Sequence, residues 1–152
     1  MHLASYVSLL ERGSQTMATS YRVRAEGHAD EPEIVGRAKS FAEECDGQVG
    51  RLEEARARYG DHGAGPPDRL HLQGLTSARV GDLGMLRHPH EVYATAAFLD
   101  LAWTIVKQAA KGNRDEDLVT VATSCEQEIA SQLAWLKTQV KTASAQTLLV
   151  AE

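Results

Sequence analysis

The chain has 152 residues, of which 43% are hydrophobic and 24% charged, and carries a formal net charge of −5 at pH 7. A chain of that length fits one domain able to bury about two thirds of the surface its unfolded form exposes, and the composition excludes a disordered polymer. The acidic balance argues against non-specific nucleic-acid binding, which needs a basic surface to displace counterions, and no run reaches the roughly 18 apolar residues of a membrane helix.

Met1-His2-Leu3-Ala4-Ser5 lacks the basic start and apolar core of a signal peptide, so a cytoplasmic location is expected. Beyond it, Leu3, Val7, Leu10, Ser14, Met17, Tyr21 and Arg24 recur at gaps of three and four, which predicts a helix over about 2–26. Gly27, His28 and Ala29 make a turn. The next segment has the most continuous stripe of the chain: Ile34, Ala38, Phe41, Cys45, Gln48 or Val49, Leu52, Ala55 and Tyr59. It predicts a helix over 31–59, capped by Asp30, with Pro32 in its first turn and Gly60 as its left-handed stop. So short a turn makes the two helices antiparallel neighbours.

Residues 60–84 carry Gly60, Gly63, Gly65, Pro66, Pro67, Gly74, Gly81 and Gly84, which break any long element. They are expected to form a crossover loop, with one short helix near Pro67–Gln73. Val92, Ala96, Leu99, Trp103, Val106 and Ala110 then predict a helix over 88–111, with Pro89 in its first turn and a stop at Lys111-Gly112-Asn113. The last helix, 115–145, opens on Asp115, Glu116 and Asp117, which suit its positive end. Its stripe is Leu118, Ala122, Cys125, Ile129, Gln132 or Leu133, Leu136 and Val140. The closing Leu148-Leu149-Val150 is expected to fold back onto the other helices. Cys45 and Cys125 both fall on apolar stripes and are expected as reduced core residues, with a redox pair as the alternative.

The halves repeat at an offset of about 84 or 85 residues: Ser14 faces Leu99, Cys45 faces Ile129 and Gln48 faces Gln132. With this repeat, the run Phe41-Ala42-Glu43-Glu44-Cys45-Asp46-Gly47-Gln48-Val49-Gly50-Arg51-Leu52-Glu53, together with Cys125-Glu126-Gln127-Glu128 and Gln132-Leu133-Ala134-Trp135-Leu136, resembles the ferritin-like superfamily. The nearest likeness is to small bacterial bundle proteins and, more distantly, to stress proteins of the YciF kind. The resemblance implies an all-α ferritin-like four-helix bundle in which two antiparallel helix hairpins are joined by a long crossover loop.

Metal-bearing members of that superfamily gather a glutamate from each of two helices and a Glu-x-x-His from each of the others. At the matching positions stand Ser14, Cys45 with Gln48, Leu99, and Ile129 with Gln132, and no Glu-x-x-His occurs anywhere. Neutral amides and a serine cannot balance two divalent ions, so no di-metal centre and no cofactor are expected. Glu11, Glu44, Asp100 and Glu128 lie beside the stripes and are the ligands of a displaced site if a metal is held; the rival expectation is that they are solvated or paired. His2, His28, His62, His71, His88 and His90 fall at helix ends or in the crossover, where solvated side chains are expected, the rival being a transition-metal site of His88 and His90 with His62 or His71.

Ser14, Gln48 and Gln132 interrupt apolar stripes, and an unpaired buried amide costs about 1–3 kcal/mol, so they must find partners. The expectations are a mutually hydrogen-bonded layer that fixes register or a small pocket for a neutral ligand. The function that follows is a non-enzymatic interaction or small-ligand-binding protein, with a metal-dependent oxidase or stress protein as the alternative. No nucleic acid or membrane partner is expected. Trp135, at the flank of its stripe, needs cover either from the crossover or from a second copy, in a homodimer that also uses the apolar tail.

Overall fold

The computed structural model describes residues 2–60 and 82–150. Four long helices account for nearly all of them: α1 (His2–Gly27), α2 (Pro32–Tyr59), α3 (Asp82–Gly112) and α4 (Glu116–Ala145), followed by a π-helical turn, Gln146–Val150. Among the described residues there is no strand. Helix α1 packs on α2 and α3, and α4 packs on α3 and α2, as in a four-helix bundle.

The predicted stripes are the buried faces. Val7, Leu10, Met17 and Tyr21 of α1 meet Phe41, Cys45 and Leu52 of α2, Leu99, Trp103 and Val106 of α3, and Leu118, Ile129 and Leu136 of α4 in one core. Each such side chain contributes about 1.5–3 kcal/mol on leaving water. The buried face of α1 is wider than its spacing predicts, since Leu9, Ala18 and Ala25 are also buried, because α1 touches two neighbouring helices rather than one. On α2 and α4 the two open positions resolve the same way: Gln48 and Gln132 are fully buried, while Val49 and Leu133 are only half-buried.

Helix boundaries agree with the spacing to within one residue except at the start of α3. That helix begins at Asp82, not near residue 88, so 82–84 leave the predicted crossover and Pro89 stands inside the helix rather than in its first turn. Proline removes one backbone donor, yet buried Gly84, His88 and Pro89 show that this first stretch of α3 is packed, and packing outweighs the local penalty. The remainder of the predicted crossover, with its short helix and with His62 and His71, lies outside the described residues.

The caps also differ in part. The N-cap of α2 is Glu31, not Asp30, and it makes no side-chain cap bond; its carboxylate is turned to His28 Nδ1 at 2.8 Å. Gly60 ends α2 in the left-handed region, φ 81°, as expected. Asp115 caps α4 by accepting the Leu118 N–H at 3.0 Å, and it also receives Tyr59 OH at 2.6 Å and Arg58 Nη2 at 3.0 Å, tying the end of α2 to the start of α4. Between α3 and α4 the left-handed residue is Arg114, φ 55°, not a glycine. The tail turns against α3 and buries Thr147, but its apolar side chains are not what it buries: Leu148, Leu149 and Val150 are 64, 83 and 70% exposed.

Candidate functional site

Polar side chains cross the middle of the core in two parallel chains of hydrogen bonds. Ser14 Oγ of α1 donates to Gln48 Oε1 of α2 at 3.0 Å, and Gln48 Nε2 donates to Glu128 Oε2 of α4 at 2.9 Å. Tyr21 OH of α1 donates to Gln132 Oε1 of α4 at 3.0 Å, and Gln132 Nε2 donates to Glu44 Oε2 of α2 at 3.2 Å. Both chains run hydroxyl to amide to carboxylate. The exchange is reciprocal, since the glutamine of each helix reaches the glutamate of the other. Glu44 and Gln48, like Glu128 and Gln132, are four residues apart and so share a flank of their helix. The two pairs are the same Glu-x-x-x-Gln motif repeated at an offset of 84 residues.

The expected layer of Ser14, Gln48 and Gln132 is therefore buried as predicted but differently wired. Ser14 and Gln48 bond each other, whereas Gln132 bonds neither and takes Tyr21 and Glu44 instead. Three side chains separated along the bundle cannot meet around one point, so each amide is satisfied by the nearest hydroxyl of α1. The 44/128 match of the repeat was a legible signal for this wiring. Arg51 and Ser124 carried none: Arg51 Nη2 lies 2.7 and 2.8 Å from the two oxygens of Glu128, and Nη1 donates to Ser124 Oγ at 2.9 Å.

The chemistry of this layer is quiet. Burial, with neighbouring Cys45 and Glu44, pushes the Tyr21 phenol far up, so it stays a neutral donor. Burial pushes the Cys45 thiol up to about 12 against the lowering effect of its Gln132 contact, and the Cys125 thiol up to about 12, so neither offers a thiolate. Glu44 is raised mainly by its burial and further by Glu128, against its hydrogen bond from Gln132 and the charges of Arg37 and Arg51.

The donor set does not fit the paired metal ions of the resembled superfamily. The carboxylates of the α2/α4 seam accept N–H bonds from Gln48, Gln132 and Arg51, and the guanidinium of Arg51 already stands against Glu128 as its cation. The other two displaced carboxylates point elsewhere: Glu11 pairs with Arg56 at 2.8 Å, and half-buried Asp100, raised by burial and by Glu126, lies toward α4. Among the described residues no three His, Cys, Asp or Glu side chains gather as metal ligands. The expectation of solvated or paired carboxylates holds for Glu128, which is paired with Arg51, while half-buried Glu44 takes a hydrogen bond from Gln132 instead of a cation. Solvation fails for His28 and His88, which are 7 and 1% exposed because the α1–α2 turn and the first stretch of α3 are packed. His2 and His90 are exposed.

Trp135 finds cover within the chain. Its ring meets Phe41 edge to face at a centroid distance of 5.5 Å, and the guanidinium of Arg24 lies 5.5 Å from its centroid. Arg24, the last member of the α1 stripe, is itself 1% exposed and borders a cavity of about 1070 Å³ at the end of the molecule where α1 ends, α2 and α3 begin and α4 ends. No protein-family model, curated protein or solved structure matches this chain.

Proposed function

We propose that the chain is a non-enzymatic ferritin-like bundle, two antiparallel helix hairpins joined by a long crossover, that lacks the di-metal centre of the superfamily it resembles and works by binding. The contacts support this topology. From Glu11–Arg56 through Ser14–Gln48 to Arg22–Asp46, the partners descend α2 as they ascend α1. Arg51–Ser124, Gln48–Glu128 and Glu44–Gln132 likewise run in opposite directions along α2 and α4, while Tyr21–Gln132 and Arg24–Gln139 run in the same direction along α1 and α4. That up-down-down-up order is the one a crossover between two hairpins produces.

One observation carries the functional half: the centre of the bundle is filled by side chains that satisfy one another, with Arg51 supplying the positive charge at the seam. Such a layer has no open coordination position and no nucleophile, so ligand or partner recognition falls to the ends and the surface. Metal analysis of protein purified without chelator, with ferrous-ion oxidation followed beside it, tests the reading. Substoichiometric metal and no ferrous-ion turnover are expected; stoichiometric iron, manganese or zinc would overturn it.

A second reading, self-association, is favoured by the consecutive exposed side chains Leu148, Leu149 and Val150. Trp135 contributes less to it than the tail, because Phe41 and Arg24 already cover its ring. Sedimentation of wild type beside Leu149→Ser decides the matter, and a wild type that stays monomeric at high micromolar concentration ends the idea.

A further inference from the structure

Arg24 is the buried group whose hydrogen bonds are left incomplete at a cavity. Its Nη2 donates to Gln139 Oε1 at 3.0 Å and its plane lies near Trp135, but Nε and Nη1 are buried with no acceptor. Burial draws its pKa down to about 10, against the charge of Glu31, and it is still a cation at neutral pH. Glu31 does not bond it, since that carboxylate is held by His28 Nδ1. A buried charged donor without an acceptor is among the most unfavourable arrangements a core can hold, and an anion brought to it removes that cost.

The setting is fitted for such a ligand. Arg24 and Gln139 border the end cavity, Ile34 and Met85 supply apolar wall, and three carboxylates stand on it: half-buried Glu31, whose Oε1 is held by His28, and the exposed Asp30 and Glu33. A simple fatty carboxylate would satisfy Arg24 but meet those acids; an alkylamine would satisfy the acids but meet Arg24. A molecule charged oppositely at its two ends satisfies both.

We propose that this end cavity binds an aliphatic amino-carboxylate, its carboxylate at the Arg24 guanidinium and its ammonium group at Asp30 and Glu33. The inference rests on the binding-protein reading above and names the class of ligand. The hydrocarbon between the two charges lies along Ile34 and Met85, and half-buried Gln139 remains as the neutral partner of Nη2.

Calorimetric titration of the full, metal-free chain with 4-aminobutanoate, 6-aminohexanoate and 8-aminooctanoate, each beside the carboxylate and the amine of equal length, tests it. Saturable binding of at least one amino-carboxylate at one per chain is expected, with the matching carboxylate several-fold weaker and the amine without binding. Arg24→Met should weaken the amino-carboxylate by about tenfold or more, while an apolar side chain in place of a buried ion is compatible with the fold. Ala143→Phe, which fills the cavity and leaves Arg24 in place, should give the same loss. Asp30→Asn with Glu33→Gln should reduce the amino-carboxylate to the level of the plain carboxylate. No saturable binding across the series, equal binding of the amines, or binding that survives both Arg24→Met and Ala143→Phe overturns the proposal. A failure here in metal-free protein removes this ligand class alone, whereas stoichiometric metal removes the reading beneath it.

Discussion

Changing Tyr21 to phenylalanine deletes one oxygen from the core and leaves the ring, which packs on Phe41 at a centroid distance of 5.4 Å, in place. The lost hydroxyl is the 3.0 Å donor to Gln132 Oε1, whose only other donor among the described residues is the Cys45 thiol at 3.8 Å. Gln132 is fully buried, so its acceptor cannot turn to water, and an unsatisfied buried group of this kind costs about 1–3 kcal/mol. For a chain of this size that is about 2–4 °C of Tm per kcal/mol, readable by calorimetry, with urea unfolding as the second measurement. Gln132→Leu in the Tyr21→Phe background removes the stranded acceptor as well, so the double variant should be less destabilised than the sum of the singles by about 0.5–3 kcal/mol. An unchanged Tm in Tyr21→Phe, or strict additivity in the cycle, would show that the hydroxyl–amide–carboxylate chain does not exist as described.

Other outcomes follow from the same contacts. The Glu44 carboxyl is raised in the folded chain above its ordinary 4.5, so the folded state binds more protons there than the unfolded state, and its effect is to lower stability as pH rises through that interval. Glu44→Gln, which keeps an acceptor for Gln132, should therefore gain on wild type in chemical unfolding as pH rises from about 4 to neutral; a constant difference would refute the assignment. Asp115→Ala should cost about 0.5–2 kcal/mol through the lost cap alone, read in the urea midpoint, because burial tends to raise this carboxyl but Tyr59, the Leu118 N–H and Arg58 outweigh it and hold its pKa down. Cys45 and Cys125, buried and pushed up to about 12, should stay unmodified by an aromatic disulfide reagent at pH 8 until the chain is unfolded. Leu52→Ala should cost about 2–5 kcal/mol, as a large-to-small change at a fully buried position, and an unchanged denaturation midpoint would misplace the α2 face.

The helices and their inward faces could be read without coordinates, because a 3.6-residue period and marked ends are local properties: Val7, Leu10 and Met17, or Val92, Leu99 and Trp103, face the core wherever their partners stand. The repeat was equally legible, and with it the equivalence of Gln48 and Gln132 within their helices, since both depend only on order along the chain. What tertiary structure decided was everything that takes two helices to define. Gln48 and Gln132 had to be buried and bonded, but which hydroxyl and which carboxylate each would take depended on the axial shift between α2 and α4, and that shift pairs each glutamine with the other helix's glutamate. Packing also carried α3 back to Asp82 through Pro89, against the local rule for proline. It turned Arg24 from the last member of a stripe into a buried cation beside a cavity, because periodicity says which way a side chain faces and nothing about whether an acceptor waits there.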